Sequence, residues 1–327
     1  MVDLASSRPD GAAKRAIERY LAAVGAELPV GEQGLAPYLA GGKRLRARLV
    51  LLAWALGQEA AIEQAVRYAA FIELIHAGGL CHDDVVDRST IRRGRTSVAQ
   101  ALGTQAAGFS GMFLMARGYA IVAHDDQSVR RAVAETARRV ARGQAAEMSD
   151  LFLETVSPEE YLARARDKTG ALFELAAWLG ARAGRLEEAA TAAVVAYAGD
   201  VGLAFQLADD VRDFIGGPEL GREAGTDLRE GVYTLPVLLT LAGRCTGGEE
   251  LRSGLRALRA GSSPSAFESF RDFFRRNGAF ALTQRTAAAL IDEALACLAA
   301  LPHCPARDEL RRYAEQVVRR IPVEAPT

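Results

Sequence analysis

Two short acidic motifs stand out in this sequence because both have the pattern Asp-Asp-x-x-Asp. The first runs from Asp83 to Asp87 and the second from Asp209 to Asp213. At 3.6 residues per helical turn, the first and last aspartates of each motif lie on one face of a helix. Two such faces turned toward each other would form a ring of carboxylate oxygens. Mg²⁺ prefers such ligands, and substrate phosphates usually complete its coordination.

A single motif of this kind could equally be a helix N-cap or a solvated acidic face. Both motifs, however, lie among apolar residues such as Leu80, Phe205, Leu207 and Phe214. Carboxylates crowded together in apolar surroundings without cations would repel one another, and their pKa values would rise. The sequence therefore predicts a metal site that handles diphosphate. Its candidate ligands are the six aspartates of the two motifs, Asp83, Asp84, Asp87, Asp209, Asp210 and Asp213.

Basic residues accompany the acidic motifs and indicate what the metal ions would serve. The segment 41–46, Gly-Gly-Lys-Arg-Leu-Arg, opens a predicted helix; Arg-Arg-Gly at 92–94 follows the first acidic motif; and Lys-Thr at 168–169 lies between the two motifs. Arginine pairs with phosphate oxygens through two parallel hydrogen bonds, whereas lysine supplies a compact point charge. Separate basic groups beside a metal site favour two bound diphosphates, one held by metal and the other by cations alone.

The net charge and the lack of one motif argue against two other classes of phosphate-binding protein. The formal net charge is −1, so we expect no general attraction to a nucleic-acid backbone and predict no nucleic-acid partner. The sequence also lacks the glycine-rich loop G-x-x-x-x-G-K-[ST] that cradles the phosphates of nucleoside triphosphates.

Alanine-rich amphipathic periods recur along almost the whole chain, without strand-like alternation. The acidic motifs fall in segments that read as apolar helices, 71–86 and 192–215. No Pro-, Gly- or Ser-rich linker divides the 327 residues. We therefore predict an all-α fold, a single large helical bundle of about a dozen helices around a central active-site cavity. This domain would comprise residues 12–327, after a flexible N-terminus of residues 1–11.

In these motifs the chain resembles the trans-isoprenyl diphosphate synthases, the polyprenyl synthetases among the class I prenyltransferases. The resemblance extends from Gly41 to Pro236. It rests on the segments GGKRLR (41–46), ELIHAGGLCHDDVVD (73–87), RRG (92–94), KT (168–169), FQLADDVRDF (205–214) and GTDLREGVYTLP (225–236). Each segment alone is a weak pattern, but their shared order is specific to the family.

The resemblance implies an enzyme that joins isopentenyl diphosphate head-to-tail to an allylic diphosphate, which lengthens an all-trans polyprenyl chain. Mg²⁺, as three ions once the allylic diphosphate is bound, would neutralise the leaving diphosphate. Carried over residue by residue, the implied catalytic residues are Asp83, Asp87, Lys168, Thr169 and Asp209. The implied isopentenyl diphosphate site comprises Lys43, Arg46, His76 and Arg93. The implied allylic side comprises Arg92, Lys168, Thr169 and Gln206, with Arg222 as a further phosphate-binding cation.

Four positions depart from the family pattern. Ala47 replaces a proline, Met112 an acidic residue, and Arg222 a lysine whose charge it keeps. Val232 replaces the lysine of the usual Gly-Lys-x-Thr pattern before Leu-Pro, which removes one implied contact to the allylic diphosphate. Both acidic motifs are intact, whereas a regulatory subunit without activity would more often lose carboxylates.

Product length is predicted from the helix that leads into the first acidic motif. Short-chain members of the family tend to carry aromatic rings where this chain has Gly78 and Gly79. Glycine in a helix costs roughly 1 kcal/mol against alanine, so two in succession indicate open space for a growing chain. With Phe71, or a partner such as Phe113, as the floor and Ile75 between, the product would be geranylgeranyl or longer. Alternatively, the glycines only allow close packing of two helices.

Two other functions remain as alternatives. A class I terpene synthase would replace the second acidic motif by Asn/Asp-x-x-Ser/Thr-x-x-x-Glu, which does not occur near residue 209. A catalytically weak or regulatory helical subunit could instead shape the tunnel of a heteromeric prenyl synthase.

We expect a cytoplasmic homodimer without a transmembrane segment, in transient membrane contact during product release. The four cysteines lack C-x-x-C spacing and indicate reduced thiols. The apolar stretch Phe109–Ala123 carries Arg117 and is too short to span a bilayer. It is a candidate interface helix, or equally a core helix.

Overall fold

The structure, a computed structural model, describes residues 10–28, 35–57, 62–92, 95–215, 225–261 and 266–318. These residues form sixteen α-helices, one π-helical turn and a hairpin of two very short strands. The predicted all-α class is confirmed. Residues 10 and 11, predicted to belong to a flexible N-terminus, already lie in the first helix, whereas residues 1–9 lie outside the described part.

Contacts within the chain group it into two compact units. The first comprises Met1–Glu135, Leu175–Val195 and Leu301–Leu310, and the second comprises Thr136–Glu174, Ala196–Ala300 and Arg311–Thr327. The prediction of one domain stays a prediction. Each unit contains one of the two acidic motifs, and each is described by itself below.

The first unit is organised around one long helix that is buried on nearly all sides. Its helices are α1 (Asp10–Glu27), α2 (Ala36–Leu39), α3 (Leu45–Trp54), α4 (Ile62–Val86), α5 (Val98–Leu102) and α6 (Thr104–Val122). β1 (Ile91–Arg92) and β2 (Arg95–Thr96) form an antiparallel hairpin. α4 packs against α1, α3, α5 and α6. Apart from Glu73, its middle part is apolar all round, which is the pattern of a core helix and agrees with the full burial of 68–74.

The later helices form most of the second unit. They are α7 (Gln127–Ser149), α8 (Pro158–Ala165), the π turn (Arg166–Gly170), α9 (Ala171–Ala183), α10 (Glu188–Ile215), α11 (Thr226–Glu230), α12 (Leu235–Leu241), α13 (Gly248–Arg259), α14 (Ala266–Arg276), α15 (Ala279–Ala299) and α16 (Pro305–Val318). α7, α9, α10 and α16 contribute residues to both units.

An aromatic cluster fixes the carboxyl end of α10, directly after the second acidic motif. The ring of Phe214 lies 5.0 Å from that of Phe274 and 5.6 Å from that of Phe280, measured between centroids. Phe274 also packs edge-on against Phe273 at 5.3 Å. All four rings are buried, so the end of α10 is held by apolar packing against α14 and α15.

α10 is, in the described part of the chain, the one helix that is long and apolar enough to cross a membrane by length and composition alone. Its apolar 18-residue window is 56% buried inside the structure, as in a core helix. The same helix carries the second acidic motif. We therefore treat α10 as a core helix, and the expected lack of a transmembrane segment stays a prediction.

Candidate active site

The first acidic motif lies at the carboxyl end of α4. Arg88 has a left-handed backbone (φ 48°), and the Ser89 N–H donates to the Asp84 carbonyl oxygen at 3.0 Å. This is the Schellman arrangement that ends many helices. The Asp87 N–H donates to the Asp83 carbonyl oxygen at 2.8 Å, so these two aspartates are one turn apart on the same face. Both are partly exposed and offer carboxylate oxygens there.

The middle aspartate of this motif has a different environment. The side chain of Asp84 is only 4% exposed, and its Oδ1 accepts from Arg92 Nη2 at 2.6 Å and from Nε at 2.7 Å. Arg92 belongs to β1, so the hairpin is tied back to the end of α4 by this ion pair. Asp84, predicted as a metal ligand, is therefore placed in support of the motif, and Arg92, implied as a diphosphate contact, holds it. Arg93 lies outside the described residues.

A buried arginine fixes the start of α3, where the Gly-Gly-Lys-Arg-Leu-Arg segment lies. Arg44 has a left-handed backbone (φ 47°) and donates from Nε to Glu18 at 2.8 Å and from Nη1 to Glu73 at 3.1 Å. It also donates to the Leu39 carbonyl oxygen. One guanidinium thus connects α1, α2 and α4 to the first residues of α3.

Ala47, where the family pattern has proline, makes a hydrogen bond that a proline could not make. Its N–H donates to Glu73 Oε1 at 3.2 Å, and a proline at this position would have no N–H to donate. Glu73 is 2% exposed, so this hydrogen bond satisfies a buried carboxylate. The alanine therefore adds a bond between α3 and α4.

Two residues of the implied isopentenyl diphosphate site lie together. Arg46 Nη1 is 3.2 Å from His76 Nε2, which joins the start of α3 to the middle of α4. Lys43 lies at the exposed start of the same segment, after Gly41 and Gly42, both with positive φ. Glycine tolerates this backbone, which turns the chain sharply before the helix. Two of the four implied residues are thus adjacent in the first unit.

The second acidic motif repeats the division of roles seen in the first. The side chain of Asp209 is 44% exposed, with Arg212 Nη1 at 3.5 Å. Asp213 Oδ2 accepts from the Asp227 N–H at 3.3 Å, which ties α10 to α11. Asp210, between them, is fully buried.

Asp210 is held by two side chains of the second unit. Its Oδ2 accepts from the Tyr161 hydroxyl, and its Oδ1 accepts from Gln206 Nε2 at 3.0 Å. Burial raises the pKa of Asp210 to about 7; the two hydrogen bonds oppose this shift, and the charges of Asp227 and Asp209 add to it. Asp210, predicted as a metal ligand, is therefore placed as a buried support for the exposed Asp209.

The π turn presents Lys168 and Thr169. Lys168 Nζ is 2.5 Å from Glu147 Oε1 on α7, and Thr169 Oγ1 donates to Gln206 Oε1 at 2.8 Å. A Cβ at Gly143 would lie 2.6 Å from the Lys168 backbone nitrogen, so glycine is required where α7 meets the turn. π turns are often found at functional sites. The structure thus brings Thr169 and Gln206, both implied for the allylic side, into contact.

Sequence reasoning missed three residues that the structure places beside the predicted ones. Glu147 pairs with Lys168, Tyr161 holds Asp210, and Arg44 fixes the start of the basic segment. No signal in the sequence marks Glu147, because the approach of Gly143, on the same face of α7, to Lys168 is visible only in the structure. Nothing in the sequence pairs Tyr161 with Asp210, because α8 and α10 are far apart in the chain.

The sequence of this chain is similar to that of a known protein family. Residues 32–264 match the sequence profile of the polyprenyl synthetase family. The chain belongs to this family. Heptaprenyl diphosphate synthase component 2 of Geobacillus stearothermophilus is 32% identical over 294 residues, 89% of this chain and 90% of that relative. Octaprenyl diphosphate synthase of Escherichia coli K12 is 33% identical over 285 residues, 86% of each chain.

Solved structures of polyprenyl synthetases show the same fold. The polyprenyl synthase of Caulobacter crescentus CB15, complexed with calcium and isoprenyl diphosphate, superimposes with a TM-score of 0.87 at 32% identity, over 96% of both chains. A decaprenyl diphosphate synthase from Rhodobacter capsulatus gives a TM-score of 0.83 at 28% identity, over 94% of this chain and 96% of that one. Membership of the family makes this chain a prenyltransferase.

The residues of this polyprenyl synthetase fit a divalent cation that substrate phosphates complete. In the part of the chain that the structure describes, no group of three or more His, Cys, Asp or Glu side chains could by itself hold a metal ion. Mg²⁺ is usually bound by one or two carboxylates together with waters and phosphates, which is what the exposed Asp83–Asp87 pair offers. Which ion binds, and how many, stays a prediction.

The glycines before the first acidic motif have two different environments. A Cβ at Gly78 would lie 2.7 Å from Met115 Cγ and 2.8 Å from the Gly111 carbonyl oxygen, so Gly78 permits close packing of α4 on α6. The prediction of open space is therefore wrong at Gly78, where the packing alternative holds. A Cβ at Gly79 would meet nothing within 4 Å. Open space is found at Gly79.

Phe71 and Ile75 lie on the α6 side of α4 as well. The Phe71 ring is 6.5 Å from that of Tyr119, and a Cβ at Gly118 would lie 3.0 Å from Ile75 Cδ1. His82 also points to α6, where its Nε2 is 3.1 Å from the Gly108 carbonyl oxygen. The role of Phe71 as the floor of a tunnel stays a prediction. Arg222 lies outside the described residues, and its role stays a prediction.

Proposed function

We propose that this polyprenyl synthetase condenses isopentenyl diphosphate with an allylic diphosphate to give an all-trans polyprenyl diphosphate of geranylgeranyl length or longer. The observation that carries the proposal is that both acidic motifs have a partly exposed first aspartate and a buried second one held by the protein. Such support keeps the exposed carboxylates in place for a charged ligand. The names of the relatives, heptaprenyl, octaprenyl and nonaprenyl diphosphate synthase, favour a medium or long product.

In this proposal the exposed carboxylates would hold Mg²⁺, with Asp83, Asp87 and Asp209 as the main ligands. Bound Mg²⁺ would supply charge neutralisation for the departing diphosphate. Lys168 would contribute a point charge to the same diphosphate, with Glu147 holding its ammonium group in place.

On the other substrate, Arg46 and Lys43 would bind the diphosphate of isopentenyl diphosphate without metal. His76 Nε2 lies 3.2 Å from Arg46 Nη1 and would help to hold the guanidinium in place. The double bond would attack the allylic cation, and the proton lost afterwards would leave with the departing diphosphate. Val232, in place of a lysine, leaves the allylic diphosphate with one cation fewer.

We also propose a cytoplasmic homodimer that meets membranes only during product release. α6 supports the dimer because it exposes an apolar stripe: Phe109 is 69% and Met112 60% exposed, one turn apart. The alternative is a heteromer, which the name component 2 of the Geobacillus relative suggests for that protein. In the described chain the four cysteines are unpaired, which agrees with a reducing compartment.

An assay of the purified chain tests the proposal. The chain would be incubated with isopentenyl diphosphate, Mg²⁺ and allylic primers of increasing length, and the products analysed by mass. We expect elongated products that disappear with chelator. Asp83→Ala and Asp209→Ala should each lower turnover by several orders of magnitude, since each loses a charge-stabilising ligand. Near-normal turnover in either variant, or no product with any primer, would contradict the proposal.

A further inference from the structure

Behind the second acidic motif, four polar side chains form a continuous hydrogen-bond chain. It begins at Tyr161 on α8, passes through Asp210 and Gln206 on α10, and ends at Thr169 in the π turn. The first two members are almost completely buried, with 3% of Tyr161 and none of Asp210 exposed. The family resemblance implies a role for three of the four residues but none for Tyr161.

The direction of each hydrogen bond follows from the groups involved. The amide nitrogen of Gln206 can only donate, so it donates to Oδ1 of Asp210 at 3.0 Å, and the Tyr161 hydroxyl donates to Oδ2. With its nitrogen directed at Asp210, the Gln206 amide turns its oxygen toward Thr169. The Thr169 hydroxyl has a single hydrogen, and it donates this hydrogen to Gln206. Thr169 Oγ1 is thereby left with lone pairs only.

Tyr161 is itself held firmly. The guanidinium of Arg164 lies 5.2 Å from the centre of the Tyr161 ring and is paired with Asp150 at 2.5 Å. A capping box between Ser157 and Glu160 fixes the start of α8. The tyrosine hydroxyl is therefore a fixed donor, and Asp210 has little freedom to rotate away from Gln206.

We propose that Tyr161 is a positioning residue that acts through Asp210 and Gln206 to keep Thr169 a hydrogen-bond acceptor. This inference rests on the proposed function. An oxygen with only lone pairs available stabilises positive charge in front of it and cannot donate to a diphosphate. The Thr169 hydroxyl oxygen would then stabilise the allylic cation. The hydrogen-bond chain keeps the hydroxyl dipole oriented before the positive charge develops.

The test removes one hydroxyl from the chain without changing its shape. Tyr161→Phe should lower kcat about ten- to a hundredfold, the range expected for one hydrogen bond to a charged group. The KM for isopentenyl diphosphate should stay within about twofold, because Arg46 and His76 are untouched. Tyr233→Phe is the matched control: Tyr233 is also buried, and its hydroxyl bonds Arg259 outside the chain, so kcat should not change.

A double-mutant cycle separates positioning from a general structural effect. In a Thr169→Val background, where the final hydroxyl is absent, Tyr161→Phe should change kcat by less than about twofold. Equal losses in both backgrounds, or a wild-type kcat for Tyr161→Phe, would overturn the proposal. If Tyr161→Phe does not fold, Gln206→Met breaks the same chain and must show the same coupling to Thr169→Val.

A readout apart from catalysis distinguishes this inference from the proposed function. Mg²⁺ with inorganic diphosphate should raise the melting temperature of Tyr161→Phe as much as that of the wild type, because Asp83, Asp87 and Asp209 remain and Gln206 still donates to Asp210. Loss of that shift in Tyr161→Phe would mean that Tyr161 acts on the metal site and would overturn the role assigned to Thr169. An inactive wild type would instead contradict the proposed function itself.

Discussion

At the scale of single residues, Asp210 predicts a pH dependence of stability. Burial raises its pKa from 3.8 to about 7 in the folded chain. Between these two values the folded state keeps a proton that the unfolded state releases. The contribution of Asp210 to the free energy of unfolding is therefore largest below about pH 4 and is lost as the pH rises toward 7. In chelator, urea unfolding should show a shallower fall over this range for Asp210→Asn than for wild type. Equal pH slopes would contradict the raised pKa.

The two adjacent glycines of α4 form a matched pair for a second prediction. Gly79→Phe should stay folded and shorten the product, because a Cβ at this position meets no atom of another element within 4 Å and the ring would extend into the open space beyond it. Gly78→Phe should instead unfold or weaken the protein, since its Cβ already meets the backbone of α6. Product mass and melting temperature distinguish the two. A Gly79→Phe enzyme that is active with unchanged product length would show that the open space is not used by the chain.

The sequence predicts the environment of a residue where that environment depends on neighbours in the same helix, and fails where it depends on a distant helix. The shared face of Asp83 and Asp87 follows from helical spacing alone, and the different direction of Asp84 follows from the same 100° rotation per residue. The contrast between Gly78 and Gly79 does not, because it depends on where α6 crosses α4. That crossing is fixed by Gly111 and Met115, which local periodicity does not pair with α4.

At the scale of elements, the start of α3 depends on the buried guanidinium of Arg44. Arg44→Ala leaves Glu73 buried without its ion partner, which typically costs about 3–5 kcal/mol of unfolding free energy. If enough protein folds, the KM for isopentenyl diphosphate should rise, because Lys43 and Arg46 belong to the same segment. Arg48→Ala is the control, since the Arg48–Glu309 pair is partly exposed and should cost less. Equal losses of unfolding free energy in the two variants would mean that Arg44 does not stabilise the start of α3 more than Arg48 does.

The close approach of α7 to the π turn gives another prediction at this scale. Gly143→Ala would place a Cβ 2.6 Å from the Lys168 backbone nitrogen, so the two elements must separate. Glu147 would then move away from Lys168. We expect a lower kcat and a weaker stabilisation by Mg²⁺ with inorganic diphosphate, measured as a smaller rise in melting temperature. Gly108→Ala, at a position with no atom within 4 Å of the new Cβ, is the control and should behave as wild type.

Elements were easier to predict than their pairing. The helical class and the helices around both acidic motifs follow from periodicity, since α4 and α10 contain the predicted segments 71–86 and 192–215. The π turn has no such signature, because Arg-Asp-Lys-Thr-Gly continues the helical pattern around it. A π turn has about one residue more per turn than an α-helix, so the directions of Lys168 and Thr169 change relative to α8. The packing of this turn against Gly143 is seen only in the structure.

At the scale of the whole molecule, we propose that the exposed stripe on α6 forms the interface of a homodimer. Large apolar side chains exposed side by side on a helix mark an interaction surface when they form a continuous patch. Phe109 and Met112 are neighbours of this kind, with 69% and 60% of their surfaces exposed, and Tyr119 lies two turns further along. A second copy of the chain would bury the stripe, and such symmetric pairs are the commonest oligomers.

A charge in the stripe tests this assignment. Met112→Glu should convert a dimer into a monomer at micromolar concentration, measured by sedimentation, because a carboxylate buried at the interface would lack a partner. Met148→Glu is the control: Met148 is 51% exposed but lies on α7, so the mass in solution should not change. A wild-type chain that sediments as a monomer would remove the homodimer, and one that gains activity only with a second, different subunit would favour the heteromer. If Met112→Glu remains dimeric, the interface lies elsewhere, and the exposed α6 side chains need another explanation.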